Sequence, residues 1–114
     1  MEIKIIKEKI GFDELKKIAG QGYGEMVKAV ADVELGVMAI GGELHADESE
    51  ILFSQGSKNE NLWGFNIYLD RPKEDYLEYI SLINIKPSVN RSMDIQNSEI
   101  KEKILMLEKV NIDK

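Results

Sequence analysis

Apolar and charged residues alternate at the N-terminus, where Ile3, Ile5 and then Ile10 stand among lysines and glutamates, and this period of two predicts a half-buried first strand of about five residues. From Gly11 the period changes. Phe12, Leu15, Ile18 and Ala19 recur on one helix face while Asp13, Glu14, Lys16 and Lys17 fall outside it, with Gly11 as N-cap and Gly20 and Gly22 as the stop. Met26 to Val33 and Gly36 to Ile40 are small and β-branched around the tight connection Glu34-Leu35-Gly36, which predicts an antiparallel hairpin. The second of these strands is expected to run through Gly41-Gly42 to His45, with a bulge or bend at the glycines.

Asp47-Glu48-Ser49-Glu50 has the form of a helix N-cap with an acid three residues on, and predicts a short helix capped by Asp47, carrying Ile51, Leu52 and Phe53 and ending near Gly56. After the polar loop Ser57–Asn61, Leu62 to Leu69 is aromatic and β-branched and reads as a strand; Asp70-Arg71-Pro72-Lys73 is the turn, and Tyr76 to Ile85 is the last strand. Pro87 to Ser92 is a loop by composition. Asn97 or Ser98 then caps a final helix with Ile100, Ile104 and Leu107 on one face and Glu99 and Lys103 paired outside it. The predicted order is β-α-β-β-α-β-β-α over residues 1–114 as one domain. This is an α+β fold with a mainly antiparallel sheet of about five strands, the first and last helices on one face and the middle helix at an edge or end. Val27, Ala29, Ala31, Val37, Trp63, Phe65 and Tyr79 then spread over both pleats and leave an apolar sheet face open, which makes a homodimer through that face, or a protein partner on it, an expectation.

Composition narrows the chemistry. The chain of 114 residues has 15 Lys and Arg against 21 Asp and Glu, a net charge of −6, with one His and no Cys. Such a balance disfavours a nucleic-acid duplex as the main ligand, because affinity for duplexes comes from cations neutralising phosphates. Without cysteine there is no disulfide framework, thiolate zinc site, iron–sulfur cluster or cysteine nucleophile. No apolar run approaches the roughly 18 to 20 residues of a membrane span, and no signal-peptide core opens the chain, so the expected compartment is the cytoplasm.

Three segments hold polar residues that periodicity does not explain. The first is Glu43, His45 and Asp47. On a strand all three share a face, but Glu43 and Asp47 then stand about 13 Å apart, too far to share one ion, so no metal is expected there, and no cofactor. The bland alternative is that Asp47 caps the helix, Glu43 is exposed and His45 bonds a neighbouring loop. The second is the loop Lys86-Pro87-Ser88-Val89-Asn90-Arg91-Ser92, whose two cations, two hydroxyls, amide and rigid proline suit a small anion. The third is Asn66 and Asn84, which interrupt apolar strands and must brace a loop, face solvent or line a pocket, with Trp63 either a pocket wall or, more commonly for a tryptophan, core.

The segments Gly42-Glu43-Leu44-His45-Ala46-Asp47-Glu48, Asn61-Leu62-Trp63-Gly64-Phe65-Asn66-Ile67-Tyr68 and Ile83-Asn84-Ile85-Lys86-Pro87-Ser88-Val89-Asn90-Arg91-Ser92 resemble those of a family of small bacterial proteins known only as a domain of unknown function. That family shares Gly-Glu-Leu-His-Ala-Asp, Leu-Trp-Gly and Asn-x-x-Pro-Ser signatures, commonly with arginine where Lys86 stands here. The resemblance spans nearly the whole chain and implies a bacterial single-domain protein, with no activity attached. Two functions are therefore expected to compete. One is a binding or regulatory module for a small polar or anionic ligand or a protein partner, using His45, Glu43, Trp63, Asn66, Asn84, Lys86, Ser88, Asn90 and Arg91. The other is a small hydrolase or nuclease-like toxin component in which His45 is the general acid/base and Arg91 stabilises an oxyanion. The test between them is whether His45, Asn84 and Arg91 converge.

Overall fold

The computed structural model describes residues 2–113. Strands β1 (Lys4–Ile6), β3 (Met26–Asp32), β4 (Val37–Ile40), β5 (Leu62–Tyr68) and β6 (Leu77–Glu78) form one antiparallel sheet in the order β1-β4-β3-β5-β6. Helices α1 (Phe12–Gln21), α2 (His45–Ser54) and α3 (Ser98–Asn111) pack on it. The α+β class, the antiparallel sheet and the approximate order of elements stand as the hydrophobic pattern predicts. A second, parallel pair joins β2 (Ile10–Gly11) to β7 (Ile112–Asp113), which ties the start of α1 to the end of α3 and was not legible in the sequence.

Alternation along the strands sorts the core into two. Val27, Ala29, Ala31, Met38, Ile40, Trp63, Phe65 and Ile67 share one face with Leu15 and Ala19 of α1 and Ile104 of α3. Val30, Ala39 and Leu62 share the other with Leu52 of α2. The middle helix is therefore not at an edge or end but across the second face, because Leu52 has a complementary apolar floor there. Helix α2 lies on the face expected to be open, and of the residues assigned to both pleats, Val27, Ala29, Ala31, Trp63 and Phe65 lie on the α1/α3 side and Val37 on the α2 side.

Two element boundaries differ from the pattern. The hairpin turn is as expected, with Asp32 Oδ1 accepting from the amides of Glu34 and Leu35 at 2.9 Å. Strand β4, however, stops at Ile40 instead of reaching His45. Gly41 has φ +87°, and a Cβ there would lie 2.9 Å from the Glu2 carbonyl oxygen and from Ile18. The chain turns, Leu44 is the N-cap, and α2 starts at His45, so Asp47 sits in the first turn near the helix dipole and makes no side-chain cap.

The last strand also breaks early: Tyr76–Ile85 was expected, and only Leu77–Glu78 pairs with β5. Ser81 Oγ accepts from the Ile83 amide and opens a 3₁₀ turn over Leu82–Asn84, which takes the backbone off the sheet edge. The side chain of Asn84 then replaces the missing strand. Its Oδ1 accepts from the Gly64 amide at 2.8 Å and its Nδ2 donates to the Gly64 carbonyl at 2.9 Å, so one carboxamide does for β5 what a facing peptide group would have done. Beyond it, residues 79–95 go out and return as a hairpin, with Ser81 bonded to Met93 and Ile95 to Tyr79 through the backbone, and Asn90 Nδ2 donates to the carbonyls of Asn84, Ser92 and Asp94.

Removing the Asn84 carboxamide leaves both Gly64 backbone groups unpaired in a buried place. Asn84→Ala is therefore expected to lose about 2 to 4 kcal/mol in urea denaturation. A loss below about 0.5 kcal/mol would mean that water replaces the amide and that the edge does not depend on it.

Candidate functional site

Gly64 is where the site begins. A Cβ on it would lie 2.6 Å from Cβ and 2.7 Å from Oγ of Ser81, and 3.2 Å from Cγ of His45, so the absent side chain is the space into which these two residues fit. His45, the first residue of α2, comes down on β5 and its Nε2 lies 2.9 Å from the Phe65 carbonyl oxygen. A carbonyl only accepts, so Nε2 carries the proton and donates. Burial holds the imidazole below its ordinary pKa against the opposing effect of that bond; nearby Lys28 lowers it further and the Asn66 amide raises it. His45 is consequently neutral at pH 7.

Asn66, Lys28 and Ser81 join His45 around a cavity of about 350 Å³ whose remaining wall is apolar and includes Ile83 and Met93. Asn66 Nδ2 donates to Glu78 Oε1 at 2.9 Å, and Tyr68 gives its hydroxyl proton to the same oxygen at 3.0 Å. Asn66 Oδ1 is buried with no hydrogen-bond partner. The cavity is thus lined by the Asn66 amide, the His45 imidazole, the hydroxyl of Ser81 and one cation.

One helical turn along α2, Glu48 is fully buried against the Gly41-Gly42 turn. Its Oε2 accepts from the Gly42 amide at 2.9 Å, and a Cβ on Gly42 would stand 2.8 Å from Glu48 Cγ, so the turn and the carboxyl fit each other. Desolvation is the largest influence on this group and pushes its pKa up from 4.5 to about 9 despite the amide and Lys28. Glu48 is a carboxylic acid, not a carboxylate, at neutral pH.

The structure brings together His45, Asn66 and Asn84, all around Gly64, and disperses the rest. Trp63 is core, and Lys86 Nζ stands 4.8 Å from the centroid of its ring and donates to the Asn59 carbonyl. Asn90 is spent inside the hairpin, where Oδ1 also accepts from the Gln96 amide. Ser88 is exposed on a separate cavity of about 550 Å³ between Asn59–Glu60 and residues 83–89. Arg91 is exposed, donates to its own loop at Pro87, and lines neither cavity. Glu43 is exposed and offers only its backbone carbonyl, to the Tyr23 hydroxyl at 2.6 Å. The expected neighbour of His45 was a loop and proves to be strand β5. Among the described residues no group of three His, Asp or Glu side chains could hold a metal ion.

Lys28, Ser81, Glu48 and Glu78 belong to this neighbourhood and were not singled out from the sequence. Two left a signal. Lys28 interrupts the run Met26–Ala31, and Ser81 interrupts Tyr79–Ile83, as Asn66 and Asn84 interrupt theirs. Glu48 follows His45 by three residues, which places them on one helix face only once α2 is known to start at His45.

The chain belongs to the family described as Protein of unknown function (DUF5674), whose model matches residues 4–110. No curated protein and no solved structure matches the chain. Among the described residues, no helix is long and apolar enough to cross a membrane.

Glu48 generates a pH prediction. The unfolded chain ionises this group near 4.5 and the folded chain only near 9, so between those values the folded state holds the extra proton and stability falls as pH rises. Glu48→Gln keeps an acceptor for Gly42 and removes the ionisation. At pH 8 it is expected to be more stable than wild type by an amount on the order of 2 kcal/mol, with a flatter profile from pH 5 to 9. Parallel profiles for the two proteins in chemical denaturation would show Glu48 to be ionised in the fold.

Proposed function

We propose that the protein is a binding module that takes a small polar ligand into the cavity between α2 and the β5 edge. The observation that carries this reading is the meeting of four polar side chains, Lys28 of β3, His45 of α2, Asn66 of β5 and Ser81 of the hairpin, on one otherwise apolar cavity. The His45 imidazole and the Ser81 hydroxyl give the cavity hydrogen-bonding groups, while Lys28 suits a carboxylate or another acceptor on the ligand. The volume of about 350 Å³ stands at the small end of ligand cavities and sets the scale at a metabolite rather than a peptide.

Binding is favoured over hydrolysis because Arg91, the expected oxyanion stabiliser, is absent from the His45 cavity. His45 and Asn66 read the ligand; Asn84 and Gly64 hold the wall on which they stand.

The reading is tested by amide chemical-shift mapping with a panel of free amino acids, small carboxamides and hydroxy acids. A binder is expected to move the resonances of His45, Asn66 and Ser81, and Asn66→Ala is expected to weaken it about tenfold, the equivalent of one buried hydrogen bond. No shift from any compound, or shifts that survive Asn66→Ala, would overturn the assignment of this cavity.

A further inference from the structure

The protein carries a net charge of −6, yet four of its cations surround one cavity. Lys9 stands just before β2, Arg71 and Lys73 lie on the connection from β5 to β6, and Lys109 is in the last turn of α3. Together they line a cavity of about 700 Å³, with Phe12, Tyr76 and Ile112 as its apolar wall. The described lining includes no acidic residue, although Asp70, Glu74 and Asp75 are interleaved with the cations along the chain. Among the described residues the one ion pair is Lys4 with Glu14.

A solvated surface would scatter such residues. Here three separate parts of the chain bring them to one concavity, and the parallel pair β2–β7 is what carries Lys9 to the end of α3. Arg71 is also held in place. Its guanidinium lies 3.5 Å from the centroid of the Tyr68 ring, Tyr68 is fixed by its hydroxyl bond to Glu78, and the Arg71 amide donates to the Tyr68 carbonyl. Stacking occupies the flat face of a guanidinium and leaves its edge, the part that takes a phosphate with two parallel hydrogen bonds.

We propose that this cleft is a site for a small phosphate-bearing ligand with an aromatic or apolar body, the size of a mononucleotide. Arg71 and Lys109 bind the phosphate, Lys9 and Lys73 add attraction, and the body lies against Phe12, Tyr76 and Ile112. The site shares no residue with the His45 cavity and does not depend on what that cavity binds. It also differs from the anion site expected at Lys86 to Ser92, whose lysine and asparagine are occupied by the fold.

The test is calorimetric and NMR titration of the full chain with adenosine 5′-monophosphate, inorganic phosphate, adenosine and a short single-stranded oligonucleotide. The monophosphate is expected to bind more tightly than phosphate or adenosine and to shift the amides of Phe12, Arg71 and Val110. Arg71→Gln and Lys109→Gln, both at exposed positions, are each expected to weaken it about tenfold. Raising salt from about 20 to about 200 mM is expected to weaken it as well. Melting temperatures within about 2 °C of wild type confirm that the variants fold. Equal affinity in both folded variants, shifts elsewhere, or binding of the oligonucleotide without the monophosphate would overturn the proposal.

Discussion

The two hydrogen bonds between the Asn84 carboxamide and the backbone of Gly64 are what the second face of this molecule is built around. Strand β5 is buried along most of its length, and its outer edge cannot be left to water. A sixth strand that simply continued would have satisfied that edge and closed it. Instead the backbone leaves after Glu78, one side chain supplies the donor and acceptor, and the chain is released to form the 79–95 hairpin. Gly64 is the counterpart of this arrangement, since any side chain there would meet Ser81 and His45. The cavity, the histidine and the hairpin all follow from one amide standing where a peptide group was expected.

The first turn of α2 shows the same economy of polar groups. Glu48 is buried, bonded to the Gly42 amide, and held neutral by desolvation, so the helix is anchored to the turn before it without a formal charge in the core. The arrangement is not the most stable one available, because a carboxyl must keep its proton at a pH where it would lose it in water. Glu48 and His45 both have displaced pKa values, three residues apart on the helix that roofs the cavity.

Charge is distributed with a comparable division. Lys86, the candidate cation of the second half, is absorbed by Trp63 and the Asn59 carbonyl, and Asn90 holds four backbone groups of its own hairpin. Four cations gather on the other side of the sheet, where the ends of α1 and α3 meet the β5–β6 connection. Two surfaces of different chemistry result, a small, mainly apolar cavity with a few polar groups over the sheet edge and a cationic cleft at the helix ends.

The sequence by itself determined the elements whose signal is local. A period of two or 3.6, the Asp32–Gly36 turn and the Asn97 cap are written within a few residues of where they act, and the α+β class with its antiparallel sheet follows from them. It also marked His45, Asn66 and Asn84 as polar residues without a periodic reason, and these are the three that meet around Gly64. Tertiary structure decided the rest. That α2 begins at His45 depends on Gly41 clearing Glu2 and Ile18, which are distant in the chain; that the last strand ends at Glu78 depends on a side chain reaching across to Gly64. The convergence of Lys9, Arg71, Lys73 and Lys109 needs the β2–β7 pair, which consists of two-residue strands at opposite ends of the chain. Such contacts leave no periodicity behind, because each is made by one or two residues whose partners lie far away along the sequence.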